Sequence, residues 1–145
     1  MKSRKILLVE DNPGDEALTL RALKKGGILN EVIVARDGAE ALDYLFRTGN
    51  YSNREPEHPG LVLLDLNLPK IGGLEVLRRL RNDERTRSLL VVILTSSGED
   101  RDLREGYEAG VNSFVSKPVE FNEFASAVQT LGLYWMLINE PPPLS

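Results

Sequence analysis

The 145-residue chain contains no cysteine, which excludes disulfides and thiolate chemistry together. It has one histidine, His58, inside a polar segment, where solvation is the ordinary fate of a loop imidazole. No apolar run approaches the roughly 18 residues of a membrane span. The basic start, Met1 to Lys5, is followed by only four apolar residues before Glu10-Asp11. That is the length of a strand and too short for a signal peptide. Positive charge is also short: 18 basic against 22 acidic residues leave −4, which argues against nucleic-acid binding through bulk charge. The chain reads as a soluble, cytoplasmic protein with no nucleic-acid or membrane partner. Its length suits one domain with a core of its own.

What is present is alternation. Short apolar runs take turns with helical patterns, as an α/β fold with a parallel sheet requires. Strands are expected at residues 5–10, 31–35, 61–65, 90–95 and 113–116. Asn12 is placed to cap the first helix and Pro13 to occupy its first turn; Ala17, Leu18, Leu20, Ala22 and Leu23 offer its apolar positions. Gly26-Gly27 stops it. Asp37-Gly38 turns into a helix over 39–47, and the polar residues 48–60, with Pro56 and Pro59, form a loop. A helix over 74–81 turns Val76, Leu77 and Leu80 inward and its arginines to water. A helix over 101–109 ends at Gly110. A last helix begins near Phe121, with Phe121, Phe124, Ala125, Val128, Leu131 and Trp135 at helical spacing. The domain is expected over residues 1–139, with a proline-rich tail over 140–145.

The strand ends carry the chemistry. In an open parallel sheet, ligands bind beyond the carboxyl ends of the strands. Glu10-Asp11, Asp65, Thr95 and Lys117 all stand there. Three carboxylates in one crevice repel one another, and Mg²⁺, which prefers oxygen ligands and accepts a substrate phosphate, removes that difficulty. Asp65 is either a turn residue or a nucleophile, since a carboxylate attacks phosphorus to give an acyl phosphate. In that reading Lys117 and the metal supply charge neutralisation, Thr95 a hydrogen bond, and the backbone carbonyl of Asn67 a metal ligand. Lys117-Pro118 restricts the lysine backbone and admits a cis bond, which would aim the side chain inward.

Glu10-Asp11, Asp65-Leu66-Asn67-Leu68-Pro69, Gly72-Gly73, Thr95-Ser96 and Lys117-Pro118, in this order, resemble the receiver domain of two-component response regulators. The likeness runs from about Lys5 to Leu131. It implies a doubly wound, flavodoxin-like fold of five parallel strands in the order 2-1-3-4-5 flanked by five helices. It implies that Asp65 accepts phosphate from a sensor histidine kinase, that Glu10, Asp11, Asp65 and the Asn67 carbonyl hold Mg²⁺, and that Thr95 and Lys117 contact the phosphoryl group. Phe114 falls at the family's switch aromatic, where the plainer role is ordinary core. Asn67 and Ser97 occupy positions that influence phosphate lifetime. The glutamate in Glu10-Asp11 departs from the commonest double aspartate and keeps the ligand type. The protein is expected not to be an enzyme, and its lone loop histidine, His58, is not expected to make it a histidine kinase. A haloacid-dehalogenase type phosphatase would carry an aspartate where Asn67 stands. A receiver that binds partners without phosphorylation would not need the full set.

No output domain is expected after the last helix, so the expected output is a protein contact, a relay onward or buffering of a kinase's phosphate. Leu133, Tyr134, Trp135, Met136, Leu137 and Ile138 are apolar nearly all the way round a helix, more than one packed face uses. Such a surface marks an interface unless it folds back on the domain. A homodimer through this helix and tail is the expected use. Together with the long 48–60 loop, the tail is similar to single-domain regulators partnered with bacterial phytochrome kinases. Trp135→Ala with Leu137→Ala is expected to weaken self-association; light scattering that finds the unaltered protein monomeric at high micromolar concentration would refute the dimer.

Overall fold

The structure, a computed structural model, describes residues 4–96 and 99–130. Strands β1 (Ile6–Val9), β2 (Val32–Ala35), β3 (Leu61–Asp65), β4 (Val91–Thr95) and β5 (Ser113–Ser116) form one parallel sheet in the order β2-β1-β3-β4-β5. Helices α1 (Pro13–Lys25), α2 (Gly38–Phe46), α3 (Gly73–Arg81), α4 (Asp100–Ala109) and α5 (Phe121–Thr130) alternate with them. The doubly wound order is the one the resemblance implies. Residues 131–145, including the apolar run from Leu133 to Ile138, lie outside the described residues, as does Ser97.

The two-residue period of a strand sorts the core into two layers. Leu7 and Val9 of β1, Val62 and Leu64 of β3, and Val91 and Ile93 of β4 pack with Leu45 of α2 and Val76, Leu77 and Leu80 of α3. Their alternates Ile6, Leu8, Leu61, Leu63, Val92 and Leu94 pack with Leu23 of α1 and Phe124 of α5. Every one of these strand residues is fully buried. A sheet covered on both faces accepts apolar residues at every strand position, so β1, β3 and β4 show runs in place of alternation.

Local chemistry sets the helix ends. Asn12 caps α1, its side chain accepting from the Asp15 N–H, with Pro13 in the first turn. Asp37 caps α2 by accepting from the Glu40 N–H at 2.7 Å, and Glu40 returns a carboxylate to the Arg36 N–H. Gly110 closes α4 in the left-handed region at φ 97°, a conformation that costs glycine little.

Three expectations need correction. The fully buried residues of α1 are Thr19 and Leu23, with Leu20 and Ala22 partly buried against the same layer, while Ala17 and Leu18 are exposed. The arginines of α3 do not all face water. Arg78 and Arg79 do, but Arg81 donates to the carbonyls of Gly110, Arg87 and Leu89 and to Asn112 Oδ1. Burial lowers its pKa, and the four acceptors satisfy its fixed fork of donors. The 48–60 loop is not irregular throughout: residues Gly49–Tyr51 make a 3-10 turn. Arg54 then lies 4.1 Å over the Tyr44 ring and donates to the Tyr44 carbonyl, while Tyr51 donates its hydroxyl to Glu40.

The backbone N–H of Glu40, with the ammonium of Lys70 3.3 Å away, holds the Asp37 carboxyl below the ordinary carboxylate range. A depressed folded pKa adds stability that is present above the unfolded value and is lost as pH falls through the folded one. Asp37→Ala is therefore expected to cost about 1 kcal/mol at neutral pH. The difference from the unaltered protein should shrink below about pH 4; urea titrations at pH 7 and pH 3.5 check both.

Candidate functional site

The carboxyl ends of β1, β3, β4 and β5 open onto one crevice. β1 pairs with β3 with Val9 opposite Leu64, so Glu10 stands beside Asp65 one step further on. β3 pairs with β4 with Asp65 opposite Leu94, which places Thr95 next. The Lys117 N–H donates to the Thr95 carbonyl at 2.9 Å and carries the pairing of β4 and β5 one residue past Ser116. Glu10 is fully buried, Asp65 is 4% exposed and Thr95 5%.

Parity assigns the faces. Glu10 continues Ile6 and Leu8, Asp65 continues Leu61 and Leu63, and Lys117 continues Val115, all toward α1 and α5. Lys117 reaches back across β4 to them. Its Nζ lies 2.9 Å from Glu10 Oε1, 3.3 Å from Asp65 Oδ2 and 2.9 Å from Asp15 Oδ2. The Lys117-Pro118 bond is cis, and the side chain points into the crevice, as the sequence suggested.

The charges explain themselves by their surroundings. Burial raises the Glu10 pKa; Lys117 opposes that rise and Asp65 adds to it. Burial works against the charged form of Lys117, but hydrogen bonds to Asp15 and Glu10 and the charge of Asp65 outweigh it and raise its pKa. An ammonium has three donors, and here three carboxylates take them.

One carboxylate oxygen from each of Glu10, Asp11 and Asp65 lies within 4.8 Å of the others. Glu10 Oε1 is buried, with the Lys117 ammonium as its close partner at 2.9 Å. Three hard oxygen donors, of which Asp11 faces solvent, fit a divalent cation that keeps some of its waters. Asn67 is exposed two residues past Asp65, its N–H donating to Asp65 Oδ1 at 3.4 Å. Two glycines let its loop sit close. A Cβ on Gly38 would collide with the Ile71 carbonyl, and one on Gly73 with the Asp65 carbonyl.

Phe114 belongs to the opposite layer. It pairs with Ile93 and packs beside the α2–α3 core, half-buried, with its ring 5.2 Å from Tyr107 of α4 at an interplanar angle of 67°. Gly106 makes room: a Cβ there would run into the ring.

The model of the response regulator receiver domain matches residues 6–129. The chain belongs to that family. Receiver domains bind a divalent metal, and the cluster here has the donors for one. Among curated relatives, the "Probable methanogenesis regulatory protein FilR2" of Methanothrix harundinacea is 42% identical over 137 residues, 94% of this chain and 86% of its own. Three solved structures are informative. The bacteriophytochrome response regulator AtBRR is 58% identical at a TM-score of 0.87, with 97% of this chain and 100% of that one covered. The Mn²⁺-bound response regulator Rcp1 is 36% identical at 0.75, with 97% and 99% covered. The phosphorylated cyanobacterial phytochrome response regulator RcpA is 36% identical at 0.77, with 93% and 95% covered.

The receiver's crevice thus gathers Glu10, Asp11, Asp65, Thr95 and Lys117, with Asn67 at its rim and Phe114 behind Thr95 on the α4 side. Sequence reading missed Asp15. It lies one helical turn past Asp11, at the third position of a capped helix, which points its side chain back over the strand end. Nor is His58 the freely solvated side chain expected: it is half-buried, and its Nδ1 is enclosed with no hydrogen-bond partner among the described residues.

Removing Lys117 strands two buried carboxylates. Lys117→Met is expected to cost about 3 kcal/mol, as breaking a buried pair does. Millimolar divalent cation should return part of the loss, since it neutralises the same groups. Denaturant titrations with and without the cation measure both effects.

Proposed function

We propose that this receiver is a phosphorylatable switch in a two-component relay and that Asp65 is its phosphoacceptor. The carrying observation is the crevice itself: a buried Asp65 carboxylate within reach of one lysine and two further carboxylates. An Asp65 oxygen attacks the phosphorus of a phosphohistidine on the sensor kinase, the N–P bond breaks, and an acyl phosphate forms. Phosphoryl transfer needs in-line positioning and charge neutralisation above all. Mg²⁺, held by Glu10, Asp11, Asp65 and the Asn67 carbonyl, would neutralise phosphoryl charge. Lys117 shields another phosphoryl oxygen and Thr95 donates its hydroxyl.

Thr95 and Phe114 serve as the switch. Both sit on the α4 side of the sheet, Phe114 paired with Ile93 two residues before Thr95. A hydroxyl drawn toward phosphate frees space that the ring fills, so the phosphate biases a two-state packing through contacts that differ between the states. The likeness to bacteriophytochrome regulators supports a light-regulated phytochrome kinase as donor. The phosphorylated relative supports acyl-phosphate formation on this fold, and the manganese-bound relative supports a divalent metal in this crevice. The output is a change in protein contacts in the cytoplasm, with homodimerisation through residues 133–138 as one of them.

Intact mass after incubation with Mg²⁺ and a small acyl-phosphate donor decides the reading. One added phosphate in the unaltered protein and none in Asp65→Asn is the expected result. No adduct at the shortest times, with metal present, would sink it in favour of an unphosphorylated scaffold.

A further inference from the structure

We propose that Asp15 is a positioning residue for Lys117. It draws the ammonium toward the rim of the crevice and thereby sets how freely Glu10 and Asp65 are available to a divalent cation. The inference rests on the reading of this crevice as a cation- and phosphoryl-binding site.

The geometry is asymmetric. Glu10 and Asp65 present side chains that are 0% and 6% exposed, whereas the Asp15 side chain is 36% exposed at the mouth, yet its Oδ2 approaches Nζ as closely as Glu10 does, at 2.9 Å. Asp15 belongs to α1, not to the sheet. Its backbone is tied by its N–H to the Asn12 cap, so its carboxylate is carried on a fixed helix end. An acid in a first turn is ordinary, because the helix dipole favours it. That preference does not account for a carboxylate aimed at a lysine more than a hundred residues away in the chain.

The consequence follows from sharing. A cation bound by Glu10, Asp11 and Asp65 draws on two carboxylates, Glu10 and Asp65, that Lys117 also uses, and two positive groups so close repel. Among the described residues, Asp15 is the one carboxylate on Lys117 outside that cation cluster. With it, the ammonium has a place to stay when the cation enters. Without it, Lys117 is left with Glu10 and Asp65 and competes for them. Asp15 is thus expected to favour the cation through the lysine, beyond the pull of its own charge.

Titration calorimetry with Mg²⁺ and with Mn²⁺ tests this. Asp15→Asn should raise Kd by about three- to tenfold, within the range of coupling between groups in contact, and Asp15→Glu should recover most of the loss. In a Lys117→Met background the same change should move Kd by less than about twofold. No rise in Kd with the lysine present overturns the inference, and so does an equal rise in both backgrounds, which would make Asp15 a bulk charge only. Should Lys117→Met not fold, ¹⁵N NMR of the lysine ammonium groups decides with Asp15→Asn alone. In the cation-loaded protein the Lys117 Nζ protons should exchange slowly and lose that protection in Asp15→Asn; equal protection in both overturns the inference. An unaltered protein that binds neither cation overturns the reading of the crevice itself, and the inference with it.

Discussion

One ammonium among buried carboxylates is the constraint on which the rest of this receiver depends. Glu10 and Asp65 are like charges, side by side and out of water, and for Glu10 neither burial nor the neighbouring Asp65 favours the ionised form. Lys117 supplies the opposing charge from the far side of β4. The arrangement requires that strands β1, β3 and β5 end at one level and that their parity agree, or the charged ends would face different layers. A slip of one residue in any strand would turn its charge to the other face. The core layers therefore keep the register as much for the crevice as for the burial of Leu63 or Ile93.

The same alternation divides the work between the two faces of the sheet. The carboxylates and Lys117 lie toward α1 and α5, in line with Ile6, Leu61 and Val115. Thr95 and Phe114 lie in line with Ile93, toward the layer beside α4. The two faces meet at β4, where the Thr95 carbonyl accepts from the Lys117 N–H. Gly106 lets α4 approach the Phe114 ring, since a Cβ there would run into it.

Much of this was legible in the chain. Four strand-like runs that each end in a polar residue disclose both the sheet and its candidate site, and the Asn12 cap follows from a side chain that bonds its own backbone. What stayed hidden depends on contacts between segments far apart in sequence. Asp15 looks like any first-turn acid until β5 brings Lys117 to it. Arg81 looks like its neighbours Arg78 and Arg79 until the carbonyls of two later loops converge on its guanidinium. Thr19 is buried in α1 although it is polar, which an apolar helical period does not record. The order in residues 48–60 comes from Arg54 and Tyr51 finding α2. The apolar end from Leu133 to Ile138 keeps its sequence reading only, since it falls outside the described residues.

Arg81 gives the sheet a second cation at its other end. Its guanidinium joins the close of α3 to the loops that enter β4 and β5, and Asn112 completes the knot by accepting from the Val91 N–H. Neighbouring strands fastened at their entry behave as levers with a common fulcrum. Thr95 and Lys117 stand at the opposite ends of those same strands, beyond the reach of this fastening.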